Sequence, residues 1–228
     1  MTSQKINTRF SRFGLLLCGL IIGLSSTVAA SEGKPSVIHQ APICTKKSFE
    51  APLREKAASG KKATKTRLTL LATPCRPRAL TLTSESGKSI ALNSVIERFS
   101  LIGHHVLVNV WATWCAPCIT EMPSLLKLQA DSSLRTLGVL SINQDMNART
   151  IVPMFLEKRG WKALETWFDL SRKTQSAFGV ESVLPLSFVI NPDGHVVASV
   201  IGDIDWADPA VKNALRTLMA QHTFALTT

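Results

Sequence analysis

Cys115 and Cys118, within Trp111-Ala112-Thr113-Trp114-Cys115-Ala116-Pro117-Cys118, are the side chains of this sequence best suited to chemistry. At this spacing two thiols can close a small disulfide ring and reopen it. The apolar run Val106 to Val110 precedes them and a helix-like run, Ile119 to Leu128, follows, so the pair stands at a strand-to-helix turn. A helix start offers unpaired N–H groups and positive dipole charge that stabilise a thiolate on the first cysteine. The competing chemistry is half of a structural zinc site, which needs four ligands. No cysteine follows Cys118, and the histidines that do, His195 and His222, are far from each other. The pattern reads as thiol–disulfide exchange, with no metal and no cofactor.

The elements that must position these thiols alternate. Ala79 to Thr83 is a short strand, Leu92 to Phe99 has helical spacing, and Val106 to Trp111 is a buried strand rich in β-branched residues. The cysteine helix runs from Ala116 to about Ala130, with Pro123 interrupting its hydrogen-bond ladder. Leu137 to Ile142 is the next strand, Thr150 to Lys158 a helix, Thr166 to Asp169 a strand and Arg172 to Phe178 a short helix. Leu186 to Ile190 and Val196 to Ile201 flank a hairpin turn at Asn191-Pro192-Asp193-Gly194. Asp208-Pro209 supplies a cap and a first-turn proline for a last helix. This order predicts an α/β fold of three layers, α/β/α, with a mixed sheet because the hairpin is antiparallel.

The first thirty residues read as an export signal. Lys5, Arg9 and Arg12 precede an uncharged apolar core, and Ser25 to Ala30 offers small residues for cleavage after Ala30. The uncharged run Phe13 to Ser31 is 19 residues, long enough to act as an anchor if uncut. Either outcome places the remainder in the periplasm or on the outer face of the cytoplasmic membrane. Charge divides the chain: residues 1–30 carry +3, residues 31–78 carry +8 and residues 79–228 carry −1, together the chain's +10. The nearly neutral last part has no footprint for nucleic acid. Residues 31–78 read as a weakly ordered basic N-terminal extension, a soluble tether or a weak membrane-surface contact, leaving 79–228 as the domain. In an oxidising compartment, Cys44 and Cys75 are left for each other once Cys115 and Cys118 pair. They form either a structural staple or a second redox pair.

From Ala79 onward the chain resembles the thioredoxin superfamily, and within it the exported TlpA/ResA-type, DsbE-like thiol:disulfide oxidoreductases. The resemblance is carried by Val106 to Cys118, by Glu121-Met122-Pro123-Ser124-Leu125, by Phe178-Gly179-Val180, and by Leu184-Pro185-Leu186-Ser187-Phe188-Val189-Ile190 with Asp193-Gly194. It implies a thioredoxin-like fold in which Cys115 attacks a partner's disulfide and Cys118 resolves the mixed disulfide. Leu184-Pro185 resembles the cis-proline loop that faces the sulfurs, and Trp114, Ala116, Pro117 and Leu184 become substrate contacts. Glu121 matches an acidic residue near the thiols. It shares a helix face with Cys118, either as the group that takes its proton or as a solvated first-turn glutamate. Asn109 stands where cytosolic relatives carry a buried aspartate.

The implied activity is reduction of disulfides in other exported proteins, in cytochrome c or copper-site maturation, with recharging by a membrane electron donor of the CcdA/DsbD type. Ala116-Pro117 brings no cation between the cysteines, which favours a low, reductase-like potential. A thiol oxidase or isomerase on the same fold is the opposite direction. A copper metallochaperone would need His195 or His104-His105, read here as exposed loop residues, to reach the thiols. A thiol peroxidase would need an arginine beside a lone Cys115 thiolate, which the neighbouring sequence lacks.

Overall fold

The computed structural model describes residues 41–50 and 67–223. Its elements are α1 (Lys46–Glu50), β1 (Arg67–Cys75), β2 (Thr81–Thr83), β3 (Ser89–Ala91), α2 (Leu92–Ser100), β4 (His105–Trp111) and α3 (Ala116–Gln129). There follow β5 (Leu137–Asn143), α4 (Ala148–Arg159), β6 (Thr166–Phe168), α5 (Thr174–Ala177), β7 (Leu186–Ile190), β8 (Val196–Ile201) and α6 (Pro209–Thr223). The strands make one sheet in the order β1-β8-β7-β4-β5-β6-β2-β3. β4, β5 and β6 run parallel; the β7–β8 hairpin pairs antiparallel with β4, in the expected mixed arrangement.

β4 is buried along its whole length because it is covered on both faces. Its alternation sends Leu107 and Trp111 into one core with Met122 and Leu125 of α3, Val152 of α4 and Leu215 of α6. Val106, Val108 and Val110 face the other core with Leu92 and Val95 of α2, Phe178 and Phe188. The three layers follow from this division. Three local devices shape these elements. Gly160 ends α4 in the left-handed conformation at φ 71°, and in the β7–β8 turn Gly194 donates to the carbonyl of Asn191 at 2.9 Å. Asp208 caps α6 through a 2.7 Å bond from the Ala210 amide.

The expected boundary at residue 79 is too late. β1 lies at the sheet edge, antiparallel to β8, with Leu68 opposite Val200 and Leu70 opposite Ala198. Ala41 to Glu50 packs against it: Cys44 N donates to Arg76 O at 2.8 Å, Arg76 N to Pro42 O at 2.9 Å, and Cys44 is bonded to Cys75. The basic charge and Pro74 mask this strand in the sequence. An edge position tolerates both, and the register shifts between Leu70 and Cys75, around the proline. The extension is therefore partly built into the domain. The expected export signal, residues 1–30, and residues 31–40 and 51–66 of the expected extension lie outside the described residues. No helix among the described residues is long and apolar enough to cross a membrane.

Candidate active site

The chain leaves β4 at Trp111 and enters α3 at Ala116, and the turn between them is tied down at several points. Thr113 donates its N–H and its hydroxyl to the Asp145 carboxylate, at 2.9 and 3.1 Å, and Asn143 braces that carboxylate from below at 2.8 Å. Cys115 is the N-cap of α3. Its sulfur accepts from the Cys118 amide at 3.3 Å, and Pro117 in the first helical turn has no N–H to leave unpaired. Cys115 and Cys118 are joined, Cα to Cα 5.3 Å. Cys115 is 5% exposed and Cys118 wholly buried, so an incoming thiolate or disulfide meets Cys115 first.

Leu184–Pro185 is a cis peptide, and Pro185 O accepts from the Gly202 amide at 3.0 Å. Trp114, Cys115, Ala116, Pro117 and Leu184 line one cleft of about 430 Å³, which brings the expected contact residues together. Trp114 is 64% exposed at its rim, whereas Trp111 is buried and donates to Ser141 Oγ.

Glu121 is buried, not solvated. One carboxylate oxygen accepts from Asn109 Nδ2 at 2.7 Å and the other from the Ile204 amide at 3.2 Å. Burial pushes its pKa up to about 7, with the Asp203 charge adding to the rise and the hydrogen bonds opposing it. Asn109 also donates to Ser187 Oγ at 3.0 Å, and its own Oδ1 has no partner among the described residues. Glu121 and Cys118 thus share the buried side of α3, above Asn109.

The far wall of the cleft was not legible in the sequence. Gln144, Arg172 and Gln175 close it, with Ser182 and Val183 on the third side. These residues follow the carboxyl ends of β5 and β6, the sheet edge at which the cysteines also sit, and that edge rule is the signal that could have found them. Asp169 organises the wall. It accepts from Thr174 N and Oγ1, both at 2.7 Å, from Ser171 Oγ at 2.7 Å and from Gln144 Nε2 at 3.0 Å. Although burial works against ionisation, these donors together hold its pKa below the usual aspartate range. Arg172 lines the same cleft as Cys115, a charged side chain that the sequence around the cysteines did not reveal.

The histidines are also placed differently from expectation. His105 is buried at the start of β4 and His195 is buried beside the β7–β8 turn. Ile190 pairs with both Val106 and Val196, which puts these two histidines at the end of the sheet opposite the cysteines, roughly 20 Å away by the rise of β4. Among the described residues no group of three or more His, Cys, Asp or Glu could hold a metal.

Comparison with known proteins agrees with this geometry. A match to the AhpC/TSA family covers residues 77–199, more than half of the chain. The chain belongs to the AhpC/TSA family, within the thioredoxin superfamily. It is 33% identical over 108 residues to the thiol-disulfide oxidoreductase ResA of Bacillus thuringiensis (strain Al Hakam), covering 47% of this chain and 61% of that protein. It is 28% identical over 119 residues to the thiol:disulfide interchange protein DsbE of Allochromatium vinosum, covering 51% of this chain and 63% of that protein. The chain thus spans about three fifths of the length of these curated relatives. Among solved structures, a thiol:disulfide interchange protein DsbE from Chlorobium tepidum superposes with a TM-score of 0.50 at 25% identity, over 65% of this chain and 95% of that one. A DsbF homologue from Corynebacterium diphtheriae shares the fold, with a TM-score of 0.52 at 16% identity, over 75% of this chain and 99% of that one.

Proposed function

We propose that this protein is an exported thiol:disulfide oxidoreductase that reduces disulfides in other exported proteins. The observation that carries the reading is the Cys115–Cys118 pair at the start of α3, with the outer sulfur facing a cleft bounded by the cis Leu184–Pro185 loop. In the reduced enzyme the Cys115 thiolate attacks one sulfur of a substrate disulfide and the other leaves as a thiolate. Cys118 then loses its proton to the Glu121 carboxylate and attacks the Cys115 sulfur. The enzyme disulfide closes, the second substrate thiolate leaves, and two electrons have passed to the substrate. A membrane dithiol donor of the CcdA/DsbD type restores the dithiol.

Export follows from the basic and apolar run of residues 1–30, and the reducing direction from the uncharged Ala116-Pro117 dipeptide. Maturation of cytochrome c or of a copper site is the substrate class that the TlpA/ResA-type resemblance implies. The copper-chaperone reading loses support, because His105 and His195 stand at the wrong end of the sheet. Reduced Cys118→Ser protein offered a disulfide-bonded protein should accumulate a mixed disulfide at Cys115, whereas Cys115→Ser should form none. Absence of an adduct on Cys118→Ser would contradict the reading.

A further inference from the structure

Among the described residues, Arg172 is the only charged side chain lining the cleft beside Cys115. It is held as a fixture. Its backbone takes the left-handed region at φ 55°, closed by a bond from its amide to Asp169 O at 3.2 Å, and its Nε donates to Gln144 O at 3.1 Å. The neighbouring polar groups are committed to one another. Gln144 and Gln175 exchange amide hydrogen bonds in both directions at 2.7 Å, and the buried Asp169 carboxylate is taken up by uncharged donors. No hydrogen bond or ion pair among the described residues occupies the terminal nitrogens of Arg172. A fixed guanidinium with its outer edge open, in a cleft otherwise lined by neutral groups, is suited to a carboxylate.

Resting on the oxidoreductase reading above, we infer that Arg172 is a specificity-determining residue that favours disulfides with a carboxylate beside the cysteine that Cys115 attacks. The guanidinium pairs with that carboxylate while the Cys115 sulfur forms its bond to the substrate sulfur, and it takes no part in the electron transfer itself.

The test uses three disulfide peptides that differ only in having Glu, Gln or Lys next to the attacked cysteine. Protein reduced with dithiothreitol and freed of it is mixed with each peptide, and oxidation of Cys115–Cys118 is followed by tryptophan fluorescence and alkylation mass. The wild type should react in the order Glu, Gln, Lys, with differences that shrink as salt is added. Arg172→Gln should slow the Glu peptide roughly five-fold and change the Gln peptide by less than about two-fold, while Arg172→Lys keeps part of the preference. Equal slowing of all three peptides would overturn the inference, because Arg172 would then act on the Cys115 thiolate. So would an unchanged Glu-to-Gln ratio in Arg172→Gln. Failure of the reduced wild type to react with any peptide would instead sink the oxidoreductase reading, and this one with it.

Discussion

A buried carboxylate beside a buried thiol is the residue-scale feature with the clearest consequence. Because Glu121 has its pKa raised to about 7, the folded protein binds a proton there that the unfolded chain releases near pH 4.5. Its neutral form leaves stability intact below about pH 4.5, and stability is lost as pH rises through about 7, by up to roughly 3 kcal/mol. Glu121→Gln should therefore be more stable than the wild type at pH 8, by about 1–3 kcal/mol in urea unfolding, with the gap closing toward pH 5. Turning the Asn109 amide would present Oδ1 to the new amide but carry Nδ2 away from Ser187 Oγ to the position where Oδ1 has no partner, so the gain falls short of the full penalty removed. The same variant should lose an inflection near pH 7 in the rate of the resolving step. An unchanged pH–rate profile would show that Glu121 does not handle the Cys118 proton. Its place on the Cys118 face of α3 was legible from spacing, but its burial was not. That depends on Asn109 and Ile204, residues of other elements that no local pattern links to it.

At the scale of elements, the Cys44–Cys75 bond ties the N-terminal segment to β1, and Gly179 lets it pack against the turn after α5. Gly179 has φ 73°, and a Cβ there would lie 2.7 Å from the backbone O of Cys44. Gly179→Ala should lower stability by about 1–3 kcal/mol, read as a shift in urea midpoint at constant m-value. The disulfide spans a sequence separation of 31, so Cys44→Ala with Cys75→Ala should cost about 3–4 kcal/mol in the chain-entropy account. If exchange at Cys115–Cys118 proceeds unaltered in that double variant under native conditions, the pair is a staple and not a second redox couple. The short β-branched run of β4 and the hairpin signal at Asn191 to Gly194 were readable because each is a local pattern. β1 escaped because its identity as a strand comes from pairing with β8, over a hundred residues away, and not from its own composition.

For the whole molecule, the N-terminal charge and the globular part make separate demands. A chain begun at residue 79 would lack β1 and the Cys44 staple and would expose the edge of β8, so it should unfold more readily than one begun at residue 31. If residues 1–30 act as a cleaved export signal, the mature protein should begin at Ser31, which intact mass would report. On the proposed reading, electrons flow from the Cys115–Cys118 dithiol to the substrate disulfide. That direction is tested most directly by equilibrating the protein lacking residues 1–30 in defined thiol/disulfide buffers and measuring the reduction potential of Cys115–Cys118 by tryptophan fluorescence and alkylation mass. A reductase should show a value near or below about −220 mV, low enough to need a dedicated electron donor; a value above about −150 mV would make the protein an oxidant or isomerase and overturn that direction.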